Sequence, residues 1–224
     1  MTVILMLSMF VVFLTIDYLM RKGKVTATES ETGTEAAQSS PRMLPTIVGG
    51  FELPENRRYH QGHTWALQES PTLVRVGIDD FGARLAGKID GVTLPKRGQW
   101  LRQGQKFATL HRDGQSVDLI SPVEGEVTNV NEALAANASL SNADPYGEGW
   151  FVSVIAPDLG VSFRNLLNGN LARKWMAEAA SQLQSRIPAL AGAVAQDGGL
   201  AMHDLTAQLP TEKWGQITRE FFLS

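Results

Sequence analysis

Thr109-Leu-His-Arg-Asp-Gly-Gln-Ser-Val-Asp-Leu-Ile-Ser-Pro-Val-Glu-Gly-Glu-Val127 is two short apolar runs joined by a polar turn with Asp113-Gly114 at its tip. Asp-Gly between strand-like runs predicts a tight hairpin, because the turn that matches strand twist needs positive φ, which glycine adopts with no Cβ penalty. Similar runs lie on both sides: Ala66 to Leu67, Thr72 to Ile78, Lys88 to Thr93, Lys106 to Leu110, Val117 to Ile120, Gly125 to Val130 and Trp150 to Ile155. Gly87, Pro95, Gly98, Gly104 and Pro122 punctuate them, a spacing that suits a small barrel or sandwich and not alternating strands and helices.

The chain has 224 residues, 43% of them apolar, enough for a real core in one or two domains. A net charge of -3 gives no basic face for neutralising a phosphate backbone, so nucleic acid is not an expected partner. With no cysteine, the chain forms no disulfide or thiolate metal site.

Val3 to Met20 is an apolar run with one charge, Asp17, and is followed by Arg21, Lys22 and Lys24. At the helical rise it spans about 27 Å, close to a hydrocarbon core of about 30 Å. The basic residues follow the run, and no small-x-small cleavage site precedes them, so a transmembrane anchor is expected over a cleaved signal. The positive flank predicts a single pass in the inner, cytoplasmic membrane, with the amino terminus outside and the soluble part in the cytoplasm. Residues 1–24 are thus read as anchor and flank. Residues 25–58 are read as a flexible tether, because Val25 to Pro45 lacks aromatic residues and has few large apolar ones to offset ordering entropy.

From Tyr59 the sequence resembles the glycine cleavage H proteins. His63-Thr-Trp65, Val76-Gly-Ile-Asp-Asp-Phe81 with Leu85-Ala-Gly87, and Leu94-Pro95 are similar to that family's pieces in the family's order. Asp118-Leu-Ile-Ser-Pro-Val-Glu-Gly125, Asn131-Glu-Ala-Leu134 and Asn142-Ala-Asp-Pro-Tyr-Gly-Glu-Gly-Trp150 continue the series. The resemblance implies a mainly β barrel-sandwich hybrid over residues 59–157, with one projecting hairpin. It also implies a lipoylated lysine at the hairpin turn, four residues before Asp118, in a motif like Glu-Ser-Val-Lys-Ala. Here that stretch is His111-Arg-Asp-Gly-Gln115, and the implied lysine position is Gly114. Lys106, in the leading strand, is the nearest amine.

Residues 158–224 are expected to form a carboxyl-terminal α/β extension. Asn170 is placed as the cap of a helix from Leu171 to Ile187, with Leu171, Trp175, Ala179, Leu183 and Ile187 on one stripe and Pro188 ending it. Asp197-Gly-Gly199 suggests a second hairpin. Pro210 begins a last helix on which Trp214, Ile217 and Phe221 share a face.

Other constellations give less. His111-Arg-Asp113 and Asp80-Phe-Gly82 mimic two protein-kinase signatures, but in reversed order and with no phosphate loop. His60 and His63 lack a Glu-x-x-His frame, so a packed His63 and an exposed His60 are expected in place of a metal site. His203 has no assigned role. No catalytic residue, metal ligand or bound cofactor is expected, and the chain is not read as an enzyme.

What remains is a recognition surface. The hairpin residues His111, Arg112, Asp113 and Gln115, with Trp175, Trp214 and Phe221 of the extension, are the candidate interaction residues; burial of the aromatic ones is the alternative. The expected role is an accessory subunit or assembly factor of an integral membrane complex, respiratory or photosynthetic. The alternatives are a carrier or delivery protein in lipoate or one-carbon metabolism, and a small-ligand module whose pocket Trp175 or Trp214 would line.

Overall fold

The computed structural model describes residues 46–187, 202, 204–207 and 209–224. The expectations for Val3 to Met20, for the tether before residue 46, for Asp197-Gly-Gly199 and for His203 lie outside the described residues. Among the described residues no helix is long and apolar enough to cross a membrane.

The decisive stretch folds as expected. Strands β8 (Lys106–Arg112) and β9 (Gln115–Ile120) are antiparallel, with Arg112 opposite Gln115 and Asp113-Gly114 between them. With β6 (Gly91–Thr93) they make a three-stranded sheet in the order β6-β8-β9. The second sheet has six strands, β3 (Arg58–His60), β4 (Thr64–Gln68), β5 (Leu73–Ile78), β11 (Val152–Ile155), β10 (Gly125–Val130) and β7 (Trp100–Leu101), in that order. Every pairing is antiparallel, which lets short turns connect most neighbours.

Alternation builds the interior. Val74, Val76 and Ile78 of β5, Val127 of β10 and Val154 of β11 are buried, and they share one core with Leu110, Val117 and Leu119 of the hairpin. Phe107 of β8 meets Phe151 edge-on, ring centroids 6.2 Å apart, tying the two sheets together. Trp65 is fully enclosed and donates from Nε1 to the Ile78 and Pro145 carbonyls. Its cross-strand partner is Gly77, where an added Cβ would lie 2.5 Å from the indole. The absence of that Cβ is what admits the ring.

Helix α1 (Asp80–Ala86) follows β5 at once, capped by Asp79, whose carboxylate accepts from the Gly82 amide, and closed at Gly87. Short helices α2 (Glu132–Ala136), α3 (Leu140–Ala143) and α4 (Leu159–Arg164) fill connections. Helices α5 (Gly169–Arg186) and α6 (Thr211–Phe222) lie in the carboxyl-terminal part of the chain.

Three expectations need correction. The tether does not reach residue 58: β1 (Ile47–Val48) and β2 (Phe51–Glu52) form a small hairpin, and Phe51 and Leu53 enter the core. Phe51 packs 4.9 Å from Phe81, so an isolated aromatic marked the true start. Helix α5 begins at Gly169 after Asn168, not at a cap on Asn170, whose side chain accepts from Arg173 instead. Its buried stripe is Ala172, Met176, Ala179, Ala180 and Leu183, while Leu171 is exposed. Steps of four alone drift about 40° per step around a 3.6-residue helix, so a face must mix steps of three and four.

Candidate functional site

The hairpin tip is built by two residues with positive φ, Asp113 at 49° and Gly114 at 77°, the conformation a two-residue turn on twisted strands requires. The Asp113 amide donates to Asp90 Oδ2 at 2.6 Å, fixing the tip to the loop beside it. Gly114 faces open space.

The flanks of the hairpin are occupied. His111 Nε2 pairs with Thr93 Oγ1 at 2.7 Å. Arg112 turns inward: Nη1 donates to the Ala86 carbonyl at 2.9 Å and to Thr206 Oγ1 at 2.8 Å, and the same nitrogen lies 3.6 Å from Asp204 Oδ1. Its guanidinium sits 5.8 Å from the Trp214 ring centre. Only 11% of that side chain is exposed, so the expectation of an exposed recognition arginine is corrected. The charge is used inside the chain, where a planar fork can serve several acceptors at once.

Trp214 and Phe221 are likewise buried, Trp214 donating from Nε1 to the Ala86 carbonyl and Phe221 packing 5.2 Å from Phe81. Arg219 of α6 reaches Gln115 Oε1 at 3.4 Å and the Ser116 carbonyl at 3.3 Å. Helix α6 and residues 204–207 therefore close one side of the hairpin, covering the β9 edge that would otherwise offer unpaired backbone groups. Of the hairpin candidates Asp113 is exposed, with Gln115 and His111 half-buried.

Lys106 is remote from the tip. It lies opposite Ile120, seven residues before Asp113, roughly 23 Å along the strand. Its Nζ pairs with Asp118 Oδ1 at 2.8 Å, an oxygen that also accepts from Thr109.

A second constellation lies at the amino-terminal end of α1, which Asp79 caps. His63 is buried and has φ 58°, and its Nδ1 is 3.0 Å from Asp79 Oδ2. The imidazole stacks on Phe81 at 4.2 Å and on Trp175, itself half-buried, at 4.6 Å. His60, expected to be exposed, is half-buried. Burial, and then the neighbouring His63, push the His60 imidazole below its ordinary value. The packed His63 was foreseen; its partner Asp79 was not. The signal was the β4–β5 register, in which Thr64 faces Ile78 and so brings residues 63 and 79 together. Asp204 and Thr206 had no comparable signal, because the contact closes a loop of more than a hundred residues. Among the described residues no group of three or more His, Asp or Glu side chains is disposed to hold a metal ion.

Comparison with known proteins points one way. Residues 57–179 match the family model described as Glycine cleavage H-protein. The glycine cleavage system H protein of Thermus thermophilus is 37% identical over 110 residues, 49% of this chain and 85% of the relative. That of Corynebacterium jeikeium is 41% identical over 112 residues, 48% of this chain and 87% of the relative. A crystal structure of the Mycobacterium marinum glycine cleavage system H protein superposes with a TM-score of 0.49 at 27% identity, over 57% of this chain and 98% of that one.

Proposed function

The chain belongs to the glycine cleavage H-protein family, and on that premise we propose that it is a non-catalytic docking protein built on the family's domain without a lipoyl arm. The observation that carries the reading is the hairpin tip. In the register set by Asp118-Leu-Ile-Ser-Pro122, the place of the family's lysine falls on Gly114, and no lysine occurs from residue 107 to residue 173. A ligase needs an exposed primary amine, and the tip offers two carboxylates, Asp90 and Asp113, instead. Closure of one hairpin flank by α6 also supports a fixed role for it.

The partner we propose is a membrane-bound complex, with Val3 to Met20 as the anchor and the folded unit on the cytoplasmic side. The support is the apolar run and its basic flank. A carrier shape without an arm keeps only its surface, and attachment to a bilayer raises the effective concentration of a partner in the same membrane.

A second reading has a specific observation in its favour: the relatives are named as H proteins of the glycine cleavage system, and Lys106 is a partly exposed amine at the base of the same hairpin. Carrier chemistry on Lys106 would have to break its ion pair with Asp118.

One experiment separates these readings. The full chain is extracted from native membranes in mild detergent, and its intact mass and its cross-linked neighbours are read by mass spectrometry. An unmodified mass, with links from Lys96 or Lys213 to an integral membrane complex, is expected. An acylated Lys106 with links to soluble enzymes restores the carrier reading, and a chain recovered alone from the soluble fraction removes the membrane role.

A further inference from the structure

β3 is the outer strand of the six-stranded sheet, and on it Arg58 stands opposite Ala66 of β4. A cleft of about 310 Å³ opens beside this pair, near the small end of ligand clefts. Phe163 of α4 forms its apolar wall, and Asn56, Arg57, Gln68 and Asn168 contribute polar lining.

Two cations line this cleft without a carboxylate of their own. Arg58 is half-buried, with its guanidinium carbon 4.8 Å from the centre of the Phe163 ring, and among the described residues no acceptor takes its N–H groups. A guanidinium is not deprotonated in a protein, so Arg58 presents a permanent charge with unused donors. Arg57 is also half-buried, its guanidinium carbon 4.9 Å from the Trp65 ring centre and 4.9 Å from that of Tyr146. Its Nη1 donates to Asn56 Oδ1 at 3.0 Å and its Nη2 to the Tyr146 carbonyl, both neutral acceptors, while Nε is enclosed with no partner.

The nearby acids are engaged elsewhere. Glu55, which also lines the cleft, is held by Arg173 at 2.5 Å, so that pair cancels. Asp144 acts on Arg57 electrostatically, but its oxygens accept from the Gly147 and Glu148 amides. Glu69 pairs with Arg75 at 2.6 Å. Two uncompensated guanidinium groups beside a cleft finished by neutral amides suit a doubly charged oxyanion, and partial burial strengthens the attraction relative to water.

We propose that this cleft binds a phosphate monoester, with Arg58 donating to the phosphate oxygens, Arg57 adding its charge, and the side-chain amides of Gln68 and Asn168 at the rim. Asn168 is available for this, because its side chain does not cap α5. The site depends neither on the hairpin nor on the docking role proposed above.

Phenyl phosphate and benzoate share a ring and differ in the anionic head, which makes them suitable probes. Each is titrated by calorimetry into the full chain, held in an uncharged detergent at physiological ionic strength. Phenyl phosphate is expected to bind saturably and about threefold or more tighter than benzoate. Gln68 is exposed at the end of β4, so Gln68→Glu keeps the fold while setting an anion in the cleft. Gln68→Glu and Arg58→Gln are each expected to weaken phenyl phosphate by about tenfold. Lys96→Gln, which removes an exposed cation on the loop before β7, is expected to change nothing. Dihexanoyl phosphatidic acid distinguishes the sources of the phosphate: tighter binding than phenyl phosphate supports the site as one for a lipid head group, and weaker binding supports it as one for a soluble ester. Benzoate binding as tightly as phenyl phosphate, an unchanged affinity in Gln68→Glu, or equal losses in Lys96→Gln and Arg58→Gln would each overturn the proposal.

Discussion

Arg112 and Thr206 are 94 residues apart in the chain and 2.8 Å apart in the fold, Nη1 of the one donating to Oγ1 of the other. Thr206 passes the bond on to the Leu85 carbonyl at 3.1 Å, and Arg112 also holds the Ala86 carbonyl. The hairpin, the end of α1 and the carboxyl-terminal segment are thereby joined through one guanidinium.

Replacing that guanidinium removes its bonds to the Ala86 carbonyl and Thr206 and takes the cation away from Asp204, although Trp214 Nε1 still serves the Ala86 carbonyl. Arg112→Met keeps the stem and its packing on Trp214 while removing the charge. A loss of about 2–4 kcal/mol of stability is expected, with faster amide exchange in β9 and α6 than in β4 and β5. Unfolding midpoints and hydrogen exchange check both parts. Uniform exchange across the two sheets would show that the arginine is no latch.

The hairpin tip makes a gain-of-function prediction. Gly114 has φ 77°, and a Cβ added there would meet no atom within 4 Å, so a lysine faces no steric obstacle beyond the backbone cost of about 1 kcal/mol. Incubated with lipoate and a lipoate–protein ligase, Gly114→Lys is expected to gain one lipoyl group, read by intact mass, and the native chain none. Modification of the native chain at Lys106 would overturn the armless reading.

Much of this fold was legible because its signals are local. Asp113-Gly114 carries its own turn chemistry, the alternating valines of β5 and β10 carry their burial, and the order of short motifs from His63 to Trp150 carries the family. The extension was legible only as elements. Trp214 and Phe221 read equally well as core or as surface, since an aromatic at helical spacing does not say what covers it. Arg112 misled for a related reason: beside a turn, an arginine is exposed unless a distant segment folds back onto it, and Asp204 and Thr206 do so here. The aromatic cluster around His63 was hidden similarly, its parts being drawn from the β3–β4 turn, α5 and α6.

Close approach inside the core gives a prediction independent of function. Gly77→Ala sets a methyl group 2.5 Å from Trp65 Cζ2, well inside contact distance, and the ring is held in place by the Nε1 bonds to the Ile78 and Pro145 carbonyls. The expected loss is about 1–3 kcal/mol or more, seen as a lower unfolding midpoint with a changed tryptophan emission. The same substitution at Gly91, where no atom lies within 4 Å, is expected to be near neutral.

The last prediction concerns pH. His60 Nδ1 accepts from the Gly62 amide at 3.0 Å, a bond that needs the neutral ring, and burial followed by the His63 neighbour lowers its pKa below the ordinary 6.5. The unfolded chain therefore binds a proton near that ordinary value while the folded chain does not, so stability rises with pH across the interval between the two values. The contribution is complete above the unfolded value and is lost as pH falls through the folded one. Burial raises the Asp80 and Glu52 carboxyls, which act in the opposite sense, their contribution fading as pH rises past the ordinary carboxylate range. Comparing the native chain with His60→Asn isolates the imidazole, because the amide oxygen of asparagine still accepts from Gly62 without titrating. Unfolding free energies measured from about pH 8 down to about pH 5 are expected to fall more steeply for the native chain than for the variant. Parallel curves would mean that protonated His60 is accommodated without loss of the Gly62 bond.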